Sequence, residues 1–428
     1  MRLVVIGGGF AGVNFAKALA NNKQIEVTLV DKNNYNFFPP LIYQVATAFL
    51  EPSSISYPFR KLFAGKQNLH FRLGELLKVV PADKKIILSN GELEYDYLVF
   101  ATGAETNYFG MENVKKYSIP MKTLDDAIAM RNRLLSQMEQ ASISKDPAEI
   151  KKALTIVIAG GGPTGVEISG MFAELKNGIL RKEYPEFTGK GGEIYLVDGG
   201  HAVLSPMSVE SQQDTFEALT KLGVKIKLEC QVKDFVNETV LFSSGESIQT
   251  KTLIWAAGVT AKIFEGIPAE SYGRGKRLLV DEFNKVKGVD NIYAIGDTCL
   301  QLTDINFPNG HPQVAQVAIQ QGLYLAKNFI HLTQNKALKP FSYNDKGSMA
   351  IIGRNKAVVD IPKPHLHFKG FLAWLVWLFI HLLSLITYRN RIKTFYNWMV
   401  AYFTKDQSLR MIIKPDKSDQ PSVISNQL

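Results

Sequence analysis

Residues 2–12 read RLVVIGGGFAG and residues 154–165 read LTIVIAGGGPTG. Each is an apolar strand opening into GxGxxG: Gly7, Gly9 and Gly12 in the first, Gly160, Gly162 and Gly165 in the second, about 150 residues later. The first glycine of such a run allows a tight strand-to-helix turn, the second lets backbone approach a pyrophosphate, and the third permits close helix–strand packing. The helix N-terminus then offers unpaired N–H groups to phosphate charge. Helical stretches follow at Val13–Ala20 and Val166–Leu175, so the chain carries an internal duplication of a βαβ unit.

An acid completes each motif. The strand Ile25–Val30 ends in Asp31, nineteen residues beyond Gly12, where a carboxylate accepts hydrogen bonds from an adenosine ribose. The strand Glu193–Val197 ends in Asp198, 33 residues beyond Gly165, the extra length lying in Lys176–Gly192, read as a polar loop. No arginine follows Asp198 closely to receive a 2′-phosphate, which favours NADH over NADPH.

Two dinucleotide sites imply a relay in which one cofactor stays and one exchanges, and a flavin suits the N-terminal site. Ala101-Thr102-Gly103 and Trp255-Ala256-Ala257-Gly258 each end an apolar strand in a small-residue turn. Ala294-Ile295-Gly296-Asp297 ends another and would bring the Asp297 carboxylate to a ribityl hydroxyl. Taken alone, Asp297 reads better as a cap for a following helix.

At 428 residues the chain predicts two or three domains, with ordinary globular proportions of 46% hydrophobic and 21% charged residues. These exclude collagen, global disorder and a polytopic membrane protein. Cys230 and Cys299 lie too far apart for a CxxC redox or zinc pair and indicate a reducing compartment. Met1-Arg2 leads straight into the first strand, so no targeting peptide is expected and a bacterial cytoplasmic origin is favoured. Leu124–Ser142 has the charged pattern of a surface helix.

The last 90 residues differ in kind. Phe341–Ile361 alternates like β-structure, Pro362-Lys363-Pro364 breaks the chain, and Phe368–Thr387 is nearly all apolar and aromatic. Twenty helical residues at ~1.5 Å each would just cross a ~30 Å hydrocarbon core, but Lys369, His381 and Ser384 argue against a span. Residues 388–417 hold seven basic residues against two acids, +5 of the chain's net +9, mixed with aromatics. That mixture describes interfacial helices on an anionic membrane surface. A dimer interface built from the same aromatics is the alternative, and the two can coexist. No nucleic-acid module is recognised, and the tail from about Asp416 is expected to be disordered.

GGGFAG, ATG, GGGPTGVE, WAAGV, AIGD and the run AQVAIQQG at residues 315–322 occur in this order. The chain thus resembles the type II, non-proton-pumping NADH:quinone oxidoreductases from Met1 to about Lys414. The resemblance implies an α/β fold of two Rossmann-like domains, the two-dinucleotide-binding flavoprotein fold, with a C-terminal helical membrane-attachment region. Its implied boundaries are an FAD-binding domain at 1–110 and 265–335, an NADH-binding domain at 111–264, and an attachment or dimer region at 336–428. It further implies non-covalent FAD on Gly7, Gly9, Gly12, Asp31, Thr102, Gly103 and Asp297, and NADH on Gly160, Gly162, Gly165 and Asp198. Glu167 matches the family glutamate near the nicotinamide, where residue chemistry alone reads it equally as a first-turn acid facing the helix dipole. Gln316 and Gln320 match the family's quinone segment, and their spacing puts them on one helix face in any case. Ile319 stands where some relatives have histidine, and Leu375–Leu378 lacks the lysine of some bacterial relatives.

The implied activity is two-electron transfer from NADH through FAD to a membrane quinone, menaquinone or ubiquinone, by a homodimer on the cytoplasmic face of the bacterial membrane. Two other readings remain at this point. A sulfide:quinone oxidoreductase would need cysteines flanking the flavin, for which Cys299 alone is a candidate. A non-catalytic NADH-binding redox sensor would not need the glutamine run. Disulfide reductases are excluded, because Pro39–Ser56 holds no CxxxxC pair.

Overall fold

The computed structural model describes residues 1–187, 192–404 and 409–413. Two compact units share them: Met1–Phe37, Ser56–Glu105 and Val259–Lys346 form one, and Phe38–Ile55, Thr106–Gly258 and the chain from Gly347 form the other.

The first unit is built on a five-stranded parallel sheet in the order Ile292–Ala294, Tyr97–Phe100, Arg2–Ile6, Glu26–Asp31, Leu69–Leu73. The middle of a parallel sheet is buried on both faces, which is why Arg2–Ile6 and Tyr97–Phe100 are nearly continuous apolar runs, whereas the edge strand Leu69–Leu73 alternates. Helices Phe10–Ala18 and Ala315–Thr333 cover one face. They approach so closely that a Cβ at Gly322 would lie 2.5 Å from the carbonyl oxygen of Ala11. On the other face an antiparallel sheet, Leu76–Val80, Lys85–Leu88 and Gly91–Glu94, packs Leu76, Val79 and Ile86 against Val4, Leu98 and Phe100.

The second unit repeats the plan. Its parallel sheet runs Ile119–Pro120, Thr252–Trp255, Ile156–Ala159, Ile194–Val197, Val224–Lys227. Helix Pro163–Leu175 is buried continuously from Gly165 to Ala173, the signature of a helix packed on more than one side. Its second neighbour is a C-terminal antiparallel sheet of Ser348–Gly353, Lys356–Ile361 and Leu366–Lys369. A Cβ at Gly170 would fall 1.7 Å from the Ile352 carbonyl oxygen, so only glycine permits this approach. Helices Gly370–Ser384 and Tyr388–Thr404 follow.

Four sequence expectations need correction. Lys176–Gly192 is helical over most of its described length, at Lys176–Leu180, Arg181–Glu183 and Pro185–Phe187, rather than a loop. The helix Leu124–Ile143 is not a surface helix, for it buries Arg131, Asn132 and Gln137 together with Leu135 and Ala141. The apolar run Phe368–Thr387 is not one helix. Its first two residues finish a strand, Gly370 turns at φ +77°, and the helix stops at Ser384 after 15 residues. At ~1.5 Å per residue that falls short of a hydrocarbon core, and among the described residues no helix is long and apolar enough to cross a membrane. Asp297 does not open a helix directly after it, because the one-turn segment Gly296–Thr298 leads into the strand Cys299–Gln301. The tail from Asp416, and Lys405, Asp406, Lys414 and Lys417 of the basic stretch, lie outside the described residues.

Candidate functional site

In the first unit Gly7 turns at φ +103°, where a Cβ would meet the Ala101 carbonyl oxygen at 2.3 Å, and one at Gly12 would meet the Gly7 oxygen at 2.0 Å. Gly9 and Gly103 instead face open space, with nothing within 4 Å of the Cβ each lacks. The Thr102 hydroxyl beside them is buried without a hydrogen-bond partner among the described residues. Two open glycines and an orphaned hydroxyl around a helix N-terminus form a cradle that a flavin cofactor fits. Asp31 is held from both sides: Gly8 N–H donates to Oδ2 at 2.6 Å and Asn33 N–H to Oδ1 at 2.7 Å. Burial raises its pKa in spite of these donors.

The second unit repeats that pattern atom for atom. Gly160 turns at φ +115° against the Ala256 carbonyl oxygen, Gly165 closes on the Gly160 oxygen, and Gly162 faces open space. Gly161 N–H donates to Asp198 Oδ2 at 2.5 Å and Gly200 N–H to Oδ1 at 2.6 Å. The middle glycine of each triplet thus orients the acid, a role that the GxGxxG rule does not assign. The GGG triplet common to both motifs was the signal for it.

The glutamines stand on the helix Ala315–Thr333. Gln316 Oε1 accepts from Lys346 N–H at 3.2 Å. Gln320 uses both ends of its amide on the Asn344 backbone, donating at 2.9 Å and accepting at 3.0 Å. Sequence reasoning missed their neighbour Gln321, which is buried and accepts from Gly296 N–H at 2.7 Å, fixing the turn that carries Asp297. The Asp297 carbonyl accepts from Gln313 Nε2 at 3.0 Å.

Glu167 lies in the second unit, in the second turn of helix Pro163–Leu175, and its side chain is buried rather than facing solvent at a helix end. Desolvation holds its pKa well above the carboxylate range, against the opposing pull of the Ile351 N–H and the Trp377 indole N–H. That indole nitrogen lies near enough to favour the charged form, yet makes no hydrogen bond of good geometry with any described residue. Tyr43 is fully buried in the same unit, and burial pushes its phenol well up. Tyr43 accepts from Gln44 Nε2 at 3.1 Å, and Gln44 Oε1 accepts from Trp398 Nε1 at 2.7 Å. Both C-terminal helices therefore reach the neighbourhood of Glu167 through a tryptophan. A buried carboxyl whose pKa is raised by desolvation is suited to general acid–base work.

Neither cysteine has the environment of a reactive thiol. Both are free and buried, and burial pushes Cys299 up to about 11 and raises Cys230, opposite to what sulfur nucleophilicity requires.

The C-terminal helices turn Phe371, Leu372, Phe379, Tyr388, Ile392 and Phe403 outward, with Leu372 and Phe379 each 62% exposed. An apolar face of this kind marks a surface that meets a membrane or another protein.

The family model for pyridine nucleotide-disulphide oxidoreductases matches residues 1–322, and that for the NDH2 C-terminal domain matches residues 346–411. Two type II NADH:quinone oxidoreductases of Mycobacterium tuberculosis are similar over 94% of this chain. NdhA is 35% identical with 87% of its length covered, and Ndh is 34% identical with 88% covered. Among solved structures, NDH2 of Plasmodium falciparum in complex with NADH superposes with a TM-score of 0.88 at 24% identity, over 96% of this chain and 99% of that one.

Proposed function

The chain belongs to the type II NADH:quinone oxidoreductases, and we propose that it passes two electrons from NADH, by way of non-covalently held FAD, to a membrane quinone without pumping protons. The observation that carries this reading is the duplicated cradle, in which Gly8 N–H donates to Asp31 and Gly161 N–H to Asp198.

FAD, when bound, supplies the two-electron redox chemistry. The residues would divide the work as follows. Gly7, Gly9 and Gly12 with the N-terminus of helix Phe10–Ala18 take its pyrophosphate. Asp31 accepts from its ribose, Thr102 and Gly103 line its approach, and Asp297 meets the ribityl chain. Gly160, Gly162, Gly165 and Asp198 bind NADH in the same manner. This assigns residues 1–110 and 265–335 to FAD, 111–264 to NADH, and 336–428 to attachment and pairing of two chains. Glu167 holds one of the two protons that the quinone takes up and regains it from solvent, the other being the hydrogen that NADH delivers as hydride. Gln316 and Gln320 donate to the quinone head group, Gln320 after letting go of the Asn344 backbone.

The exposed aromatic face supports peripheral attachment to an anionic leaflet, on the cytoplasmic side of a bacterial membrane. NADH is a charged solute and a prenylated quinone dwells in lipid, so an enzyme acting on both belongs at that boundary. Steady-state NADH oxidation by the purified protein, with and without a water-soluble quinone, tests the reading. Quinone-dependent turnover is expected, and a rate indifferent to quinone would overturn it.

A further inference from the structure

The second unit holds a cavity of about 390 Å³ that is lined by none of the residues assigned above to FAD, NADH or quinone. It lies at the lower end of the ~300–1,000 Å³ typical of small-molecule pockets. Its walls are mostly apolar: Leu135 and Met138 of helix Leu124–Ile143, Phe172 and Leu175 of helix Pro163–Leu175, and Ile156 and Ile194 from the parallel sheet. Arg131 lines this space, although the residue is only 4% exposed.

Among the described residues its Nε has no acceptor, and its guanidinium forms neither a hydrogen bond nor an ion pair. The acid whose charge reaches it is Glu51. That carboxylate is already engaged by the Lys393 ammonium and by the Ser53 hydroxyl. Burial lowers the pKa of Arg131, as expected for a cation without a close counterion. Among the described residues the other charged groups on the lining are Lys176, Arg410 and Glu183, and the last two are joined as an ion pair. Among the described residues, the Arg131 guanidinium therefore leaves positive charge on the lining without an ion-pair partner.

A guanidinium removed from water is costly unless a charged acceptor completes its fork. An apolar chamber with one such fork on its wall is built for a molecule that is apolar along its length and anionic at one end. We propose that this cavity binds a single-chain amphiphile with an oxyanion head, the head paired with Arg131 and the chain lying along Leu135, Met138 and Phe172. Both a long-chain carboxylate and an alkyl phosphate carry that chemistry.

Calorimetric titration of the flavin-loaded full-length enzyme with dodecanoate, dodecyl phosphate and methyl dodecanoate tests the site. One of the two acids should bind at least about tenfold more tightly than the ester, the scale of a charge-assisted hydrogen bond, and the tighter acid names the head group. Arg131→Met should erase that preference while leaving the ester's affinity unchanged. Equal binding of acid and ester by the wild type, or a preference that survives Arg131→Met, would overturn the proposal. Met138→Trp fills the chamber and leaves the guanidinium in place, so it serves if the arginine variant fails to fold. It should weaken all three ligands, and unchanged acid binding in it would equally overturn the assignment. NADH oxidation with a water-soluble quinone should persist in both variants.

Discussion

The imidazole of His381 stacks on the indole of Trp377 with ring centroids 3.8 Å apart. Its Nδ1 lies 2.8 Å from the Trp377 carbonyl oxygen, one helical turn back. The indole nitrogen in turn lies by the buried carboxyl of Glu167, where desolvation raises the pKa and the Ile351 N–H and this indole oppose the rise. The aromatic stack thus packs beside the buried carboxyl whose pKa desolvation raises, and titration at either end has a calculable sign.

Burial pushes His381 down from 6.5 to about 4. Its folded pKa lies below its unfolded one, so the folded state binds fewer protons and stability is lost as pH falls from about 6.5 to about 4. The full difference is worth about 3 kcal/mol at ~1.36 kcal/mol per unit. His381→Phe should remove this component and flatten the melting temperature across that window. A variant whose acid-side loss equals that of the wild type would show that the imidazole is not buried.

Glu167 carries the opposite sign. Its pKa is raised, so the folded state holds a proton that the unfolded chain has released, and stability falls as pH rises above about 4.5 toward the folded value. Glu167→Gln should therefore melt higher than the wild type at pH 8, with the gap narrowing toward pH 5. The same change should lower quinone-dependent turnover by about 100-fold or more if the group handles a proton, with flavin content unchanged. Unaltered turnover would remove its catalytic role.

How far the sequence could be read varies with the locality of each signal. The glycine turns and their acids are set within about twenty to thirty residues of chain, and their geometry follows from steric rules, so both cradles were legible. Glu167 was not legible in the same sense. Its burial depends on Ile351 and Trp377, some two hundred residues away, and spacing alone equally suggested a solvated acid. Arg131 misled for the same reason: charged residues on a helix read as surface until tertiary packing encloses them. The twenty-residue apolar run looked longer as a helix than it is because hydropathy does not register the left-handed turn at Gly370.

Asp198 should govern NADH affinity more than turnover. Its carboxylate accepts two backbone N–H bonds and keeps lone pairs for a ribose. Asp198→Ala should raise the NADH KM about 10- to 100-fold, the scale of hydrogen bonds to a charged group, and leave the quinone KM unchanged. A parallel rise in both KM values would place the residue elsewhere in the cycle.

The two glutamines should separate in behaviour. Gln320 is tied at both ends to Asn344, so Gln320→Ala should lower the melting temperature as well as the quinone rate. Gln316 makes a longer contact with Lys346, and Gln316→Ala should raise the quinone KM with a smaller effect on stability. Equal effects of Gln316→Ala on the NADH and quinone KM values would count against a head-group role.

Membrane attachment calls for point changes rather than truncation. Deleting the C-terminal helices would remove Trp377, which is fully buried, and Asn390, whose amide donates to the Ser54 carbonyl at 2.9 Å; loss of binding would then be confounded with unfolding. Leu372 and Phe379 are instead largely exposed on helix Gly370–Ser384. Each apolar side chain inserted at the interface contributes about 1.5–3 kcal/mol, so Leu372→Glu with Phe379→Glu, which also adds repulsion from an anionic leaflet, should weaken vesicle binding by at least about 100-fold. NADH oxidation with a water-soluble quinone should be retained, because both side chains are largely exposed and neither belongs to the glycine motifs or is assigned a part in the chemistry. Co-sedimentation with vesicles of neutral and anionic lipid reads the outcome. A double variant that still sediments like the wild type would move the attachment surface away from this helix.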